Sequence, residues 1–149
     1  MTPVDLCHLA IQLEQLGAPS RSVDAMLWDL IDPRPRFALP GDLALYKQDP
    51  ASETQFDCAP EYTADLNLAC VLLQKLFPGR EADLTLKPNL TACEVTLWHP
   101  DDLMPGDLAE LIAEPSARTA RTSGPAAVAL CHAIVKALIA ERKAAAIAA

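Results

Sequence analysis

Two short segments between residues 98 and 123 carry the side chains best suited to chemistry. The first runs into a helix that we predict to start at Ser123, and its arginines and hydroxyls would suit an anion held by unpaired helix N–H groups. Its members are Arg118, Thr119, Arg121, Thr122 and Ser123. The segment indicates a small anionic, nucleotide-like ligand, although charged residues before a helix are also common as solvated surface.

The second segment follows a predicted strand and combines an aromatic ring, an imidazole and two carboxylates. Its members are Trp98, His99, Asp101 and Asp102. An imidazole beside carboxylates can act as a general acid or base, or can bind a ligand. A strand that ends in a solvated acidic turn would contain the same residues, and we favour this interpretation because nothing in the sequence positions a substrate.

The other histidines and the five cysteines form no recognisable metal or nucleophile motif. Two histidines adjoin cysteines, as Cys7-His8 and Cys131-His132, but neighbouring helical side chains point about 100° apart and cannot chelate one ion. The sequence contains no CxxC pair, no glycine-rich phosphate loop and no GxSxG or HExxH motif. We therefore predict no metal, no cofactor and no assignable catalytic residue, and we expect most cysteines to be buried as small apolar side chains.

The charge of the chain is strongly negative and unevenly distributed. The 149 residues contain 12 Lys plus Arg and 20 Asp plus Glu, for a net charge of -8. This balance argues against direct nucleic-acid binding, which requires cations facing phosphates. Two tracts, residues 48–74 and 101–114, carry only acidic charges. Clustered carboxylates can imitate phosphates and occupy a nucleic-acid-binding protein, but more often they keep a protein soluble.

Neither a secretory signal nor a membrane span is predicted. Residues 1–5 lack the basic and apolar regions of a signal. The longest apolar uncharged run, residues 123–135, is shorter than the roughly 20 residues that a spanning helix needs. We therefore expect a cytoplasmic protein whose thiols stay reduced.

Hydrophobic periodicity predicts four helices and a small sheet. The helices carry apolar stripes at helical spacing and begin at polar residues, namely Thr2, Ser20, Thr63 and Ser123. Between the last two helices apolar and polar residues alternate in 82–87 and 93–98, which predicts an antiparallel pair of strands. A third strand is expected in residues 116–122 and a short helix in residues 107–113.

These elements divide the chain into four parts and indicate the fold class α/β (α+β). An N-terminal helical hairpin (1–32) is followed by a Pro-rich acidic loop (33–60), an α-β-α sandwich unit (61–143) and an Ala-rich tail (144–149) that should fray. Within the sandwich unit we expect a two- or three-stranded antiparallel sheet between the third and fourth helices. Residues 43–46 have the pattern of an edge strand inside the loop.

Three stretches of the sequence resemble motifs of a phage protein family. They are residues 13–24 (LEQLGAPSRSVD), 62–69 (YTADLNLA) and 125–134 (PAAVALCHAI). In this order they are similar to motifs of the phage ABA-sandwich domain family, uncharacterised phage and prophage proteins named for a small sheet between helical layers. The resemblance implies that fold and a bacterial host. It implies no catalytic residue, because the family has no established activity.

The function that we predict is a non-catalytic binding or interaction module, an accessory protein of the phage or prophage type. Three alternatives stay open. They are a binder of a small anionic molecule, a small enzyme that uses His99 with Asp101 or Asp102, and an acidic nucleic-acid mimic that inhibits a host protein. The expected partner is a host or phage protein or a small anion, rather than nucleic acid or membrane. The alanine-rich last helix would also permit a homo-oligomer.

Overall fold

The computed structural model of the chain describes residues 5–80, 82–87, 92–97, 119–122 and 125–148. Within these ranges the chain forms helices and short antiparallel strands, so the predicted α+β class is confirmed. The helices are α1 (Leu6–Gln15), α2 (Arg21–Trp28), α3 (Leu66–Leu76) and α4 (Ala126–Ala148). The strands are β1 (Arg36–Phe37), β2 (Tyr46–Gln48), β3 (Phe56–Cys58), β4 (Ala82–Lys87), β5 (Ala92–Leu97) and β6 (Thr119–Thr122).

The strands form two antiparallel sheets of three strands each, in which every strand pairs with the next along the chain. The first sheet has the order β1-β2-β3 and the second has the order β4-β5-β6. In the second sheet Leu84 lies opposite Val95, and Val95 lies opposite Ala120. This second sheet is the one that the alternation of apolar and polar residues predicts, and it includes the expected third strand.

Side-chain caps set the starts of the first three helices. Asp5, Ser20 and Asp65 each accept a hydrogen bond from a backbone N–H two or three residues further along the chain. The predicted cap of α2, Ser20, is confirmed. Asp5 caps α1 in place of Thr2, which lies outside the described residues. Asp65 caps α3 in place of Thr63, because the Thr63 hydroxyl is bound to a carboxylate of α2.

The helix α4 is the central element of the described structure. It packs against β5 and β6 on one side and against α1 and α3 on the other, while α1 also contacts α2. Residues 127–135 of α4 are buried without interruption. A helix that is apolar on nearly all faces needs neighbours on all of them. In the described residues α4 therefore contacts both the second sheet and the helices α1 and α3, and α1 also contacts β6.

The alanine-rich end of α4 belongs to the helix, which continues to Ala148. The fraying expected for residues 144–149 stays a prediction. Ala144 is only 2 % exposed, and alanine has the highest helix propensity of all residues. Neither α4 nor another described helix is long and apolar enough to cross a membrane. The expected short helix at 107–113 lies outside the described residues.

Candidate binding surface

Most side chains of the two predicted chemical segments lie outside the part of the chain that the structure describes. Only the backbone is described for three residues of β6, namely Thr119, Arg121 and Thr122. The residues that lie outside altogether are Arg118, Ser123, Trp98, His99, Asp101 and Asp102. The register of the second sheet places Arg121 opposite Glu94. The segment before α4 therefore contributes a strand to this sheet, and its anion site stays a prediction.

The described histidines differ sharply in their surroundings. His8 on α1 is exposed and shares a hydrogen bond with Gln12, whereas His132 on α4 is 8 % exposed and its Nδ1 has no hydrogen-bond partner. Burial lowers the pKa of His132, Lys136 acts in the same direction, and Glu14 of α1 opposes both. Among the described residues no group of three or more His, Cys, Asp or Glu side chains could hold a metal ion.

The lowered pKa of His132 leads us to expect a loss of stability as the pH falls from roughly 7 to 5. The unfolded chain binds a proton near pH 6.5, at the ordinary pKa of histidine, whereas the folded chain does so only at lower pH. Falling pH therefore favours the unfolded state, by at most about 1.4 kcal/mol per pH unit for one proton.

Urea unfolding across this pH range checks the expectation. His132→Gln should flatten the pH dependence of the free energy of unfolding, whereas His8→Gln, which changes an exposed side chain, should leave it as in the wild type. An unchanged pH slope in His132→Gln would show that His132 is not the group responsible.

The cysteines are less buried than the sequence predicts. Cys7, Cys58 and Cys70 are exposed, and Cys131 is buried. Cys7 and Cys70 lie beside the buried apolar stripes of α1 and α3 rather than in them, so apolar neighbours in the sequence are a poor guide to their exposure. Burial raises the pKa of the Cys131 thiol, which donates to the Tyr62 carbonyl oxygen at 3.5 Å. This thiol acts as a core side chain.

Residues 33–60, which the sequence analysis treats as a loop, form the first sheet. Phe37 of β1 pairs with Tyr46 of β2, and Tyr46 pairs with Cys58 of β3. The strands are two or three residues long, and all the prolines of the segment fall between or outside them, where a missing N–H costs no ladder bond. The prolines therefore mark the turns of a small sheet.

One face of the first sheet is held against α2 by a buried ion cluster centred on Lys47. The Lys47 side chain is 0 % exposed. Its Nζ lies 3.0 Å from Asp29 Oδ1, donates to the Asp32 carbonyl oxygen at 2.6 Å and lies 4.6 Å from the centre of the Trp28 ring. A buried ammonium group is tolerated only where opposite charge and hydrogen-bond acceptors surround it. These contacts fix the sheet to the end of α2.

Two arginines extend the Lys47 ion cluster. Arg36 Nε donates to Asp29 Oδ2 at 3.0 Å. Arg34 donates to Asp32 Oδ2 at 2.6 Å and to Asp57 Oδ2 at 2.9 Å. The hydrogen bonds from the Arg34 guanidinium hold the pKa of the Asp32 carboxyl below its ordinary value, although burial opposes them. The basic side chains near the first sheet are therefore paired with carboxylates of their own chain.

The opposite face of the first sheet carries three aromatic rings in mutual contact, which we call the aromatic face (Phe37, Tyr46 and Phe56). The ring centres are 5.8 Å apart for Phe37 and Tyr46, 5.0 Å for Tyr46 and Phe56, and 5.6 Å for Phe37 and Phe56. The two pairs with Phe56 are edge-to-face, a favoured arrangement. Phe56 remains 44 % exposed, so the aromatic face is open to solvent.

Acidic residues outnumber basic ones in and beside the first sheet. Tyr46 Oη donates to Asp42 Oδ2 at 2.9 Å, which raises the pKa of Tyr46. From residue 42 to residue 65 the chain has six acidic residues and one basic residue, the buried Lys47. A shallow open depression of about 620 Å³ in the β2–β3 turn is lined in part by Asp49 and Glu53. The surroundings of the rings therefore carry a negative potential.

A buried polar junction fixes the end of β3 to the start of α2, and we call it the Asp24–Thr63 junction. Asp24 is 1 % exposed and accepts hydrogen bonds from Thr63 N–H at 2.7 Å, Thr63 Oγ1 at 2.8 Å and Arg21 Nη1 at 3.0 Å. Ser20 N–H donates to Thr63 Oγ1 at 2.9 Å. Arg21 Nη2 also donates to the Ala59 carbonyl oxygen at 2.6 Å, directly after β3.

The three stretches quoted for the family resemblance meet at this junction. Asp24 belongs to the first, Tyr62 and Thr63 belong to the second, and Cys131 of the third donates to the Tyr62 carbonyl oxygen. Burial raises the pKa of Tyr62 to about 12. These residues hold three parts of the molecule together: α2, the segment that precedes α3, and α4. Their role is therefore structural.

The aromatic face was not among the candidate sites predicted from the sequence, although the sequence contains a pattern that indicates it. In each of the three strands an aromatic residue is next to a charged one, as in Arg36-Phe37, Tyr46-Lys47 and Phe56-Asp57. Alternation over two or three residues is too short to identify a strand, but three of the chain's five Phe and Tyr residues lie in these strands.

No protein-family model, curated protein or solved structure matches this chain.

Proposed function

We propose that this protein is a non-catalytic binding module of the phage or prophage accessory type, and that it binds a positively charged protein through the aromatic face. The observation that carries the proposal is the set of three packed rings, of which Phe56 is exposed and Phe37 and Tyr46 are half-buried. Aromatic anchors dominate the energetics of protein interfaces, and exposed apolar patches rimmed by polar residues mark such sites.

The charges around the aromatic face support a cationic partner. Lys47, Arg34 and Arg36 are paired with carboxylates on the side of the sheet that faces α2. Arg21, which contacts Cys58 on the side of the rings, is paired with the buried Asp24. Asp42 and Glu53 are exposed and have no ion pair among the described residues. An approaching protein therefore meets apolar rings within a field of uncompensated negative charge, which accelerates association with basic surfaces and rejects acidic ones.

The open geometry of the aromatic face supports binding rather than catalysis. An active site gains much of its electrostatic strength by excluding water from the reacting groups. The three rings lie on a small sheet of two- and three-residue strands, and Phe56 among them is exposed to solvent. The phage origin and the cytoplasm of a bacterial host complete the proposal, and they rest on the sequence stretches at 13–24, 62–69 and 125–134.

Selection from a random peptide library, with the folded protein as bait, tests this proposal. We expect the recovered peptides to combine Lys or Arg with aromatic or aliphatic residues. Phe56→Ser should weaken their binding about thirtyfold, because a central aromatic anchor contributes roughly 2 kcal/mol. Val71→Ser is the matched control, since Val71 on α3 is 46 % exposed and lies outside the aromatic face. Recovery of no peptide, or binding that is indifferent to Phe56, would refute the proposal.

A nucleic-acid mimic is the second candidate, and the uncompensated carboxylates favour it. A mimic would bind a basic protein through its carboxylates, with strong dependence on salt and little on the rings. Asp42→Asn combined with Glu53→Gln should then abolish binding, while Phe56→Ser should leave it intact. The aromatic-face proposal requires the larger loss in Phe56→Ser.

A further inference from the structure

We propose that the cationic partner binds as an added β-strand along the free edge of β3, an inference that rests on the proposed function. In the first sheet β3 pairs only with β2, and its three residues are all exposed. An extended segment of a partner protein can pair with such an edge, so that its main chain provides affinity and its alternate side chains provide specificity.

The hydrogen-bond register shows which backbone groups of β3 are free. Ala59 N–H donates to the Leu45 carbonyl oxygen at 2.8 Å, and Asp49 N–H donates to the Gln55 carbonyl oxygen at 3.1 Å. Residues opposite each other in an antiparallel pair alternate between bonded and non-bonded, so residues 55, 57 and 59 turn their backbone groups toward β2. The N–H and C=O groups of Phe56 and Cys58 therefore point away from the sheet.

The free edge adjoins the aromatic face. Phe56 packs against Tyr46, which is also the register partner of Cys58, so both β3 residues with outward backbone groups lie on the face with the rings. Side chains of a strand alternate between the two faces of a sheet. A segment paired with β3 would therefore place every second side chain beside Phe56, and the intervening ones on the side of Asp57.

This arrangement specifies the chemistry of the partner segment. Apolar or aromatic side chains suit the positions beside Phe56. Polar side chains suit the intervening positions, because Asp57 there is 53 % exposed but already paired with Arg34. Lys or Arg suits the end near the β2–β3 turn, where Asp49 and Glu53 line the depression. The partner segment is accordingly an extended run of alternating apolar and polar residues, with a basic residue at the end near that turn.

The charge of this protein selects a foreign segment over a second copy of the chain. Two β3 edges brought together would juxtapose carboxylates from both acidic surroundings, and the chain has a net charge of -8. Short strands and charged side chains are among the features by which natural edge strands avoid pairing with copies of themselves. β3 has both, since it is three residues long and contains Asp57, whereas it contains no proline that would prevent a strand from being added.

Backbone N-methylation of the tightest peptide from the library selection tests the strand geometry. Each methyl group removes one N–H, so methylation should weaken binding about tenfold or more at alternate positions, and less than about threefold between them. On the protein side, Cys58→Pro should weaken the same peptide about tenfold without lowering the unfolding midpoint, because the Cys58 N–H points outward. Asp57→Pro should lower the midpoint more than Asp57→Ala does, because both lose the ion pair with Arg34 and only the proline loses the N–H that faces β2.

The outcomes separate this inference from the proposed function. Binding that needs Phe56 but tolerates methylation at every position would overturn strand addition while leaving the aromatic face as the binding surface. Failure to recover any peptide would overturn both. Dimerisation of the wild-type protein that Cys58→Pro abolishes, seen by analytical ultracentrifugation, would identify a second copy as the occupant and overturn the foreign segment.

Discussion

Replacing Asp24 by alanine should lower the free energy of unfolding by about 3 kcal/mol. Asp24 is buried and accepts three hydrogen bonds, two from Thr63 and one from Arg21. The substitution leaves the buried Thr63 N–H without an acceptor and the Arg21 guanidinium without its carboxylate. A buried donor that loses its partner bears its full desolvation cost, which exceeds the average value of a hydrogen bond.

Urea unfolding at neutral pH measures the effect of Asp24→Ala. Glu61→Ala is the matched control, because Glu61 is exposed and should change stability by less than about 0.5 kcal/mol. Within the junction, Thr63→Ser keeps the hydroxyl and should cost far less than Thr63→Val, which removes it. A similar decrease in the free energy of unfolding for Thr63→Val and Thr63→Ser would contradict this expectation. It would show that the hydrogen bonds of the Thr63 hydroxyl contribute little to stability.

Replacing Lys47 by alanine should lower the free energy of unfolding by about 3 to 4 kcal/mol. The change removes the ammonium group that lies between the carboxylates of Asp29 and Asp32. These two negative charges then repel each other, and only the partly exposed Arg34 and Arg36 compensate them. It also leaves a cavity beneath the sheet, next to Trp28. The first sheet should loosen before the rest of the molecule, so hydrogen exchange at β2 should accelerate more than at α4.

A double substitution separates the electrostatic part of this loss from the packing part. Lys47→Met fills much of the space but removes the buried cation, so that Asp29 and Asp32 keep only Arg36 and Arg34 as partners. Adding Asp29→Asn should recover part of the stability that Lys47→Met loses. Lys75→Ala, at an exposed position in the last turn of α3, serves as the lysine control and should be nearly neutral. If the second substitution recovered nothing, unpaired charge could not be the cause of the loss.

The fold class could be predicted from the sequence because its strongest signals are local and long. The alternation at 82–87 and 93–98 extends over six residues in each run, and the observed strands β4 and β5 agree with these runs to within one residue. Ser20 is a helix cap that acts on a backbone N–H three residues away. Signals of this kind depend only on residues that are close together in the sequence, so they can be recognised without the structure.

Apart from an edge strand expected at 43–46, which overlaps β2 (Tyr46–Gln48) at one residue, the first sheet was not predicted, because its strands are shorter than the pattern that identifies a strand. Two or three residues cannot establish a period, and the surrounding prolines are equally typical of a loop. Likewise Thr63 has the residue type of a helix cap, yet its hydroxyl binds Asp24, which is 39 residues away in the chain. A cap can be judged only when the competing partners of its side chain are known.

Local patterning in the chain was thus enough to establish the α+β class, the second sheet and the excess of negative charge. The folded molecule added the facts that bear on function: Lys47 turns inward to Asp29, the three rings turn outward, and β3 has a free edge. The physical reason is that exposure depends on which distant residues come together. Charge and periodicity are properties of neighbouring residues, whereas a binding surface is what remains uncovered after long-range contacts have formed.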